Sequence, residues 1–209
     1  MKSSITLLAI PMLATSVSAS LMVDTFNDTA TSVTTSGPGE TSSADLDTGL
    51  LAAIGGARET RVHNTSTDGA STENNAITDG NTFVWSQETN SIGHFHLSYG
   101  ARIAAPDNFN LDADFKDSTS VVVTVIASDV IGFIEFTFDM NIGEASESVW
   151  SATEQLNQVG GFGLPSPYEL VFDFADFTLV SEVNAGQGVF DITDVDGILV
   201  EASVELKSA

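Results

Sequence analysis

The sequence predicts an all-β fold: an antiparallel β-sandwich, jelly-roll-like, with about eight to ten strands and long polar loops. Three observations predict it. Apolar and polar residues alternate at period two in one run after another. Turn-forming pairs such as Asp68-Gly69, Asp79-Gly80 and Asp196-Gly197 separate these runs. Long segments with a sustained helical period are missing from the sequence. A closed barrel is the alternative arrangement of the same strands.

The strands follow in chain order. Residues 21–26, 60–63 and 82–86 are short candidates. In 92–99, Phe95, Leu97 and Tyr99 share one face, and Ile92, His94, His96 and Ser98 share the other. The first set is the stronger core face. Residues 120–127 are β-branched and apolar on both faces, as a central strand requires. In 131–138, Ile134, Phe136 and Phe138 lie opposite Phe133, Glu135 and Thr137. Leu170, Phe172 and Phe174 alternate with Val171 and Asp173. In 199–206, Val200, Ala202, Val204 and Leu206 alternate with Leu199, Glu201, Ser203 and Glu205. The Asp196-Gly197 pair reads either as a turn or as a bulge at the start of this last strand. Two polar tracts, 29–47 and 64–81, are rich in Thr, Ser, Asn and Gly and read as loops or exposed strand edges. Segment 146–159 is the one helix candidate, and its sparse apolar residues predict a turn or so.

The chain has 209 residues, which suits one domain with a sizeable core. Six Lys+Arg against 29 Asp+Glu give a formal net charge of −23, and there is no cysteine. Such acidity excludes a general nucleic-acid binder, since phosphate neutralisation needs clustered cations. It also argues against docking on anionic lipid. The absence of cysteine removes disulfides, Cys-ligated zinc and thiol catalysis. The first residues read as an export leader. Met1-Lys2 is a basic start, residues 5–17 are mostly apolar, and Val17-Ser18-Ala19 offers small residues for a cut before Ser20, or one residue later. Residues 1–19 are thus expected to be a signal peptide and 20–209 a single sandwich domain, secreted or held at the bacterial cell surface. No later stretch reads as a transmembrane helix.

Several short segments share a pattern. Asp24-Thr25-Phe26 is followed by Gly55-Gly56-Ala57-Arg58-Glu59-Thr60-Arg61. Further on come the Asn- and Gly-rich tract 64–81, Asn110-Leu111-Asp112, and Asp191-Ile192-Thr193-Asp194-Val195-Asp196-Gly197-Ile198. This pattern resembles secreted bacterial jelly-roll proteins, many of which carry a PEP-CTERM sorting tail. No such tail follows Val204-Glu205-Leu206 in this sequence, and Ala57 stands where the pattern has its first acid. The resemblance implies a jelly-roll fold and a cell-surface, biofilm or exopolysaccharide-associated role, with no common activity. The Gly55-Gly56 pair suits positive φ or a close backbone approach. It lacks the Lys and Ser/Thr that a phosphate loop needs.

Four sets of residues are candidates for chemistry. His94 and His96 project from one strand face, a spacing compatible with a transition metal, with His63 as a third ligand; the plainer alternative is two outward histidines on a sheet surface. Asn110, Asp112, Asp114 and Asp117 offer oxygens at the alternating positions of a calcium loop. Phe115 and Val121 replace the Gly and Glu of an EF-hand, so turn solvation is the alternative. Asp191, Asp194 and Asp196 fail the same test. Glycan binding needs exposed aromatics, and Trp150 and Tyr168 are the candidates because they lie in the least regular segment; Trp85 reads as core. Enzymatic signatures are lacking: there is no Gly-x-Ser-x-Gly elbow and no His-Glu-x-x-His. The expectation is a secreted, non-catalytic envelope or extracellular-matrix protein acting in adhesion, matrix or glycan association. Extracellular polysaccharide or other matrix components are its expected partners and calcium its possible ion. A self-assembling filament or sheath subunit and a jelly-roll enzyme acting on polysaccharide are the alternatives.

Overall fold

A computed structural model describes residues 2–8, 23–28, 31–37, 41–51, 53–65, 72–78, 82–88, 93–103, 110–128, 131–158 and 167–204. Among these residues lie thirteen strands: β1 (Lys2–Leu8), β2 (Ser32–Gly37), β3 (Thr41–Thr48), β4 (Ala57–Asn64), β5 (Thr72–Thr78), β6 (Thr82–Glu88), β7 (Gly93–Gly100), β8 (Ser120–Ser128), β9 (Gly132–Met140), β10 (Ser148–Leu156), β11 (Tyr168–Asp173), β12 (Thr178–Glu182) and β13 (Val195–Val204). They form a six-stranded sheet, in the order β11-β8-β1-β6-β5-β2, and a seven-stranded sheet, β12-β10-β9-β13-β7-β4-β3. All the pairings are antiparallel. The fold is the all-β sandwich that period two predicts, with more strands because the polar tracts pair as well.

The two sheets meet through the faces that the sequence marks as apolar. Phe95, Tyr99, Ile134, Phe136, Phe138 and Val200 of the seven-stranded sheet are buried, as are Phe83, Trp85, Val125 and Phe172 of the six-stranded one. Rings cross the interior between them: Phe83 to Phe95 at 4.6 Å, Trp85 to Phe95 at 5.5 Å and Phe136 to Phe172 at 5.7 Å between centroids. Each apolar side chain of this size stabilises the fold by about 1.5–3 kcal/mol relative to an exposed position. In β8, Val121, Val122, Val123 and Val125 are all buried, in keeping with a strand apolar on both faces.

Three local expectations change. The helical turn expected in 146–159 is strand β10, paired with β9 along its whole length from Ser148–Met140 to Leu156–Gly132. Its inward Trp150, Ala152 and Leu156 alternate with Ser151, Thr153 and Gln155, a period-two signal interrupted by Ser148 and Glu154 on the inward register and Val149 on the outward one. The tracts 29–47 and 64–81 contribute β2, β3 and β5. Asp24, in the candidate strand 21–26, makes only an isolated bridge to Ala53. The Asp196-Gly197 pair is a bulge, since the register of β13 against β9 shifts between Val195 and Gly197.

The segment that reads as a leader contributes β1. Its backbone pairs with β6, from Lys2–Glu88 to Leu8–Thr82, and with β8. Residues 9–22, with the expected cleavage point, lie outside the described residues. No helix among the described residues is long and apolar enough to cross a membrane.

Candidate functional site

The outward face of the seven-stranded sheet gathers the chain's three histidines beside Arg61, Glu135 and Glu201. It is built by register. Since Phe95 and Leu97 of β7 turn inward, His94 and His96 turn outward. On β4, buried Val62 leaves Arg61 and His63 outward. Antiparallel pairing sets His63 opposite His94 and Arg61 opposite His96. On the other side of β7, Glu201 of β13 lies opposite His96 and Ser203 opposite His94. The row continues through Glu135 of β9 to Thr153 of β10. One cross-strand row therefore reads Arg61, His96, Glu201, Glu135, Thr153. The next reads His63, His94, Ser203, Phe133, Gln155.

All three histidines of the chain converge here. One ring nitrogen from each of His63, His94 and His96 falls within 4.8 Å of the other two. The ring of His63 stacks on His94 at 4.4 Å with an 18° tilt and lies 4.8 Å from His96. Nε2 of His63 is buried and has no hydrogen-bond partner among the described residues. Glu201 Oε2 lies 3.0 Å from Nε2 of His96, close enough for an ion pair but off the line of a hydrogen bond. Burial, reinforced by the neighbouring histidines and Arg61, lowers the imidazole of His63 to about 4, so it is neutral at neutral pH. Contact with His96 holds the Glu201 carboxyl below its ordinary value. Three imidazoles beside a carboxylate make a donor set suited to a borderline divalent metal ion.

A second cluster stands at one end of the sandwich. The segment before β8 bridges to β13: Ala113 N–H donates to Val195 O and Val195 N–H to Ala113 O, both at 3.0 Å. Leu111 N–H donates to Asp196 O at 3.1 Å. These bonds bring one carboxylate oxygen each from Asp112, Asp194 and Asp196 within 4.8 Å of one another. Asp196 is buried and accepts the Ile142 N–H at 2.5 Å. Partial burial, then Asp196, Asp112, Glu144 and Asp191, push the Asp194 carboxyl above its ordinary value. The four oxygens expected from 110–117 do not share this arrangement. Asp114 turns to Lys116, with Oδ2 2.6 Å from Nζ. Asn110 donates to Asp112 Oδ1 at 2.9 Å, and Asp117 is exposed. Of the expected set only Asp112 reaches the cluster. Its partners come from the other run, which spacing alone had set aside.

Trp150 and Tyr168 sit on different sheets, each half-buried against the core. Trp150 stacks edge-on to Phe190 at 5.3 Å and donates its indole N–H to Ser148 Oγ. The Tyr168 hydroxyl accepts the Asn157 N–H and donates to the Asn157 carbonyl. The two side chains thus lie in separate sheets, each with part of its ring against the core. The outward residues that sequence reading left unassigned are Arg61, Glu135 and Glu201. Alternation already turned Glu135 and Glu201 away from the core, but their adjacency depends on β9 pairing with β13.

No protein-family model matches the sequence, and no curated protein matches it. Two solved structures are similar over most of the chain. One is the module CtCBM11, from a study of its solution structure, dynamics and binding, with a TM-score of 0.44 and 14% identity over 88% of this chain and 91% of that one. The other is the family 11 carbohydrate-binding module of the cellulosomal cellulase Lic26A-Cel5E of Clostridium thermocellum, with a TM-score of 0.43 and 13% identity over 91% of this chain and 93% of that one.

Proposed function

We propose that the protein is an exported, non-catalytic β-sandwich module that associates with extracellular glycan or other matrix material through the outward face of its seven-stranded sheet. The observation that carries this reading is the row Arg61, His96, Glu201, Glu135, Thr153 on five adjacent strands. Such a row presents the Arg61 donors at one end and two carboxylate acceptors beyond them along a sheet face, groups that sugar hydroxyls can meet as acceptors and donors. Phe133, 38% exposed, and the exposed Gln155 flank it and supply an apolar ring and an amide. Export is supported by the leader-like residues 1–19 and by the resemblance to secreted jelly-roll proteins.

The test is binding of the purified protein to a glycan array and to insoluble polysaccharides, with Arg61→Ala and Glu135→Gln beside the wild type. Retention by at least one polysaccharide, lost in both variants, is the expected result. Turnover of a polysaccharide, or retention unchanged in both variants, overturns the reading.

A second reading, a self-assembling subunit, is favoured by β12. This strand forms one edge of the seven-stranded sheet and pairs with β10. Its Leu179 and Val180 are 42% and 60% exposed. An exposed apolar edge is open to strand addition by a neighbouring chain. Size-exclusion chromatography and negative-stain microscopy of wild type and Val180→Lys separate a monomer from a β12-dependent assembly.

A further inference from the structure

We propose that His63, His94 and His96 bind one divalent transition-metal ion of the zinc class, with Glu201 as the fourth ligand. The inference shares His96 and Glu201 with the row of the glycan reading but stands on a separate observation, the convergence of the chain's three histidines at one place on the sheet. Two of them are alternate residues of β7 and the third is the direct cross-strand partner of His94. The backbone thus fixes all three imidazoles in one patch, without any contribution from mobile loops.

The three imidazoles pack together, with ring centroids 4.4–5.1 Å apart, so their nitrogens are concentrated at one place. The nitrogen that His63 buries has no hydrogen-bond partner among the described residues, and a buried polar atom without a partner is rare. A metal ion would satisfy it. A tetrahedral ion with bonds of 2.0–2.1 Å places its donors about 3.3 Å apart. The three nitrogens already lie within 4.8 Å of one another, so ring rotations close the remaining gap without moving the strands. Glu201 is the carboxylate that touches the cluster, opposite His96 on the adjoining strand and 3.0 Å from its Nε2. Three neutral nitrogens and one carboxylate leave a net charge of +1 on a divalent site. Such a donor set prefers Zn(II), Cu(II), Ni(II) or Co(II) over the oxygen-seeking Ca(II) and Mg(II). The bound ion would join β4, β7 and β13 across the sheet.

The experiment is calorimetric titration of the purified chain with zinc chloride and with cobalt chloride, in excess calcium so that the acidic surface is already occupied. Wild type is expected to bind one ion per chain. His94→Ala and His63→Ala are expected to lose at least about 100-fold in affinity, and Glu201→Gln about 10- to 100-fold. Circular dichroism of each metal-free variant checks that it folds. If a variant does not fold, nitrogen NMR of wild-type histidine side chains replaces it: one equivalent of zinc should shift all three imidazoles together. Cobalt should give the intense visible absorption of a tetrahedral site. Three imidazole signals unmoved by zinc, or zinc affinity unchanged in a folded His63→Ala, His94→Ala double variant, overturn the proposal.

Discussion

Arg58 and Asp24, thirty-four residues apart in sequence, form an ion pair almost wholly removed from water. Nη1 lies 2.7 Å from Oδ2, at side-chain exposures of 0% and 1%. The carboxylate is further satisfied by the Phe26 N–H at 2.7 Å and the Tyr99 hydroxyl at 3.0 Å. The guanidinium reaches Asp47 at 3.2 Å and stands over the ring of Phe26. Gly55 and Gly56 shape the approach, with φ of 69° and 71°. Through them Ile54 N–H meets Val23 O, and Leu50 N–H meets Gly56 O. The segments that carry the family-like pattern at the start of the chain therefore form a structural clamp. Asp24 is committed to Arg58 within it.

Removing one partner of this pair leaves the other charge buried and uncompensated. Arg58→Ala or Asp24→Ala is expected to destabilise the protein by about 3–5 kcal/mol. Tyr99→Phe, which removes one donor to Asp24, should cost about 1–3 kcal/mol. Urea unfolding of the three variants measures both effects. A loss below about 1 kcal/mol for Arg58→Ala would show that water reaches the site.

The parts of this fold that sequence makes legible are those where large apolar residues alternate without interruption. Phe95, Leu97 and Tyr99 mark the inner face of β7, and Phe136 and Phe138 that of β9, because no other register buries them. Strand β10 was not legible, since Ser148 and Glu154 fall on its inward register and Val149 on its outward one. Strands β2, β3 and β5 resemble loops because half-buried strands toward a sheet edge tolerate Thr, Asn and Ser. The site was legible only in part. Alternation shows that His94 and His96 point one way, but His63 joins them only if β4 pairs with β7 in the observed register. Pairing between strands of distant sequence leaves no local signal. The same holds for Glu201 beside His96 and for Asp194 beside Asp112.

Gly100 is a second position where backbone geometry fixes the residue. Its φ is +62°, and an added Cβ would meet Asp196 O at 2.3 Å and Leu111 Cγ at 2.3 Å. The Asp196 carbonyl accepts N–H groups from Ala101 and Leu111, so it cannot withdraw freely. Gly100→Ala should cost at least about 2 kcal/mol, from left-handed strain and the displaced carbonyl together. Gly143, also at positive φ but with no atom near its Cβ, is the control and should lose less. Thermal unfolding of the pair compares them; equal losses would remove the argument from crowding.

Asp194 gives a pH dependence with a definite sign. Its carboxyl sits above its ordinary value in the folded chain, chiefly through partial burial and then through neighbouring carboxylates. The folded state thus takes up a proton more readily than the unfolded state. The group's contribution to stability is present at low pH and is lost as pH rises through the folded value. Asp194→Asn should raise the melting temperature at neutral pH in metal-free buffer, by up to about 2 °C. It should also flatten the change between neutral pH and about pH 4. Melting curves of both proteins across that range provide the check. A lower melting temperature for the variant at neutral pH would show that the carboxylate is held by attraction rather than opposed by its neighbours.

The place of β1 makes the export reading testable at the level of the sheet. Backbone pairing puts Ile5 opposite Trp85 of β6 and Ser128 of β8, and Thr6 opposite Val84 and Ala127. Cleavage after Ala19 would remove this strand from between two others and leave both β6 and β8 with unpaired backbone groups. Mass spectrometry of the exported protein should find a chain that begins at Ser20 or Leu21. Hydrogen exchange in that chain should be faster at the β6 and β8 amides that face β1 than in the uncleaved protein, while β7, β9 and β13 keep their protection. The difference follows from topology: β1 lies wholly within the six-stranded sheet, and the seven-stranded sheet with its outward histidine face is built without it. An exported chain that retains Lys2 would refute the leader reading and make β1 a permanent strand.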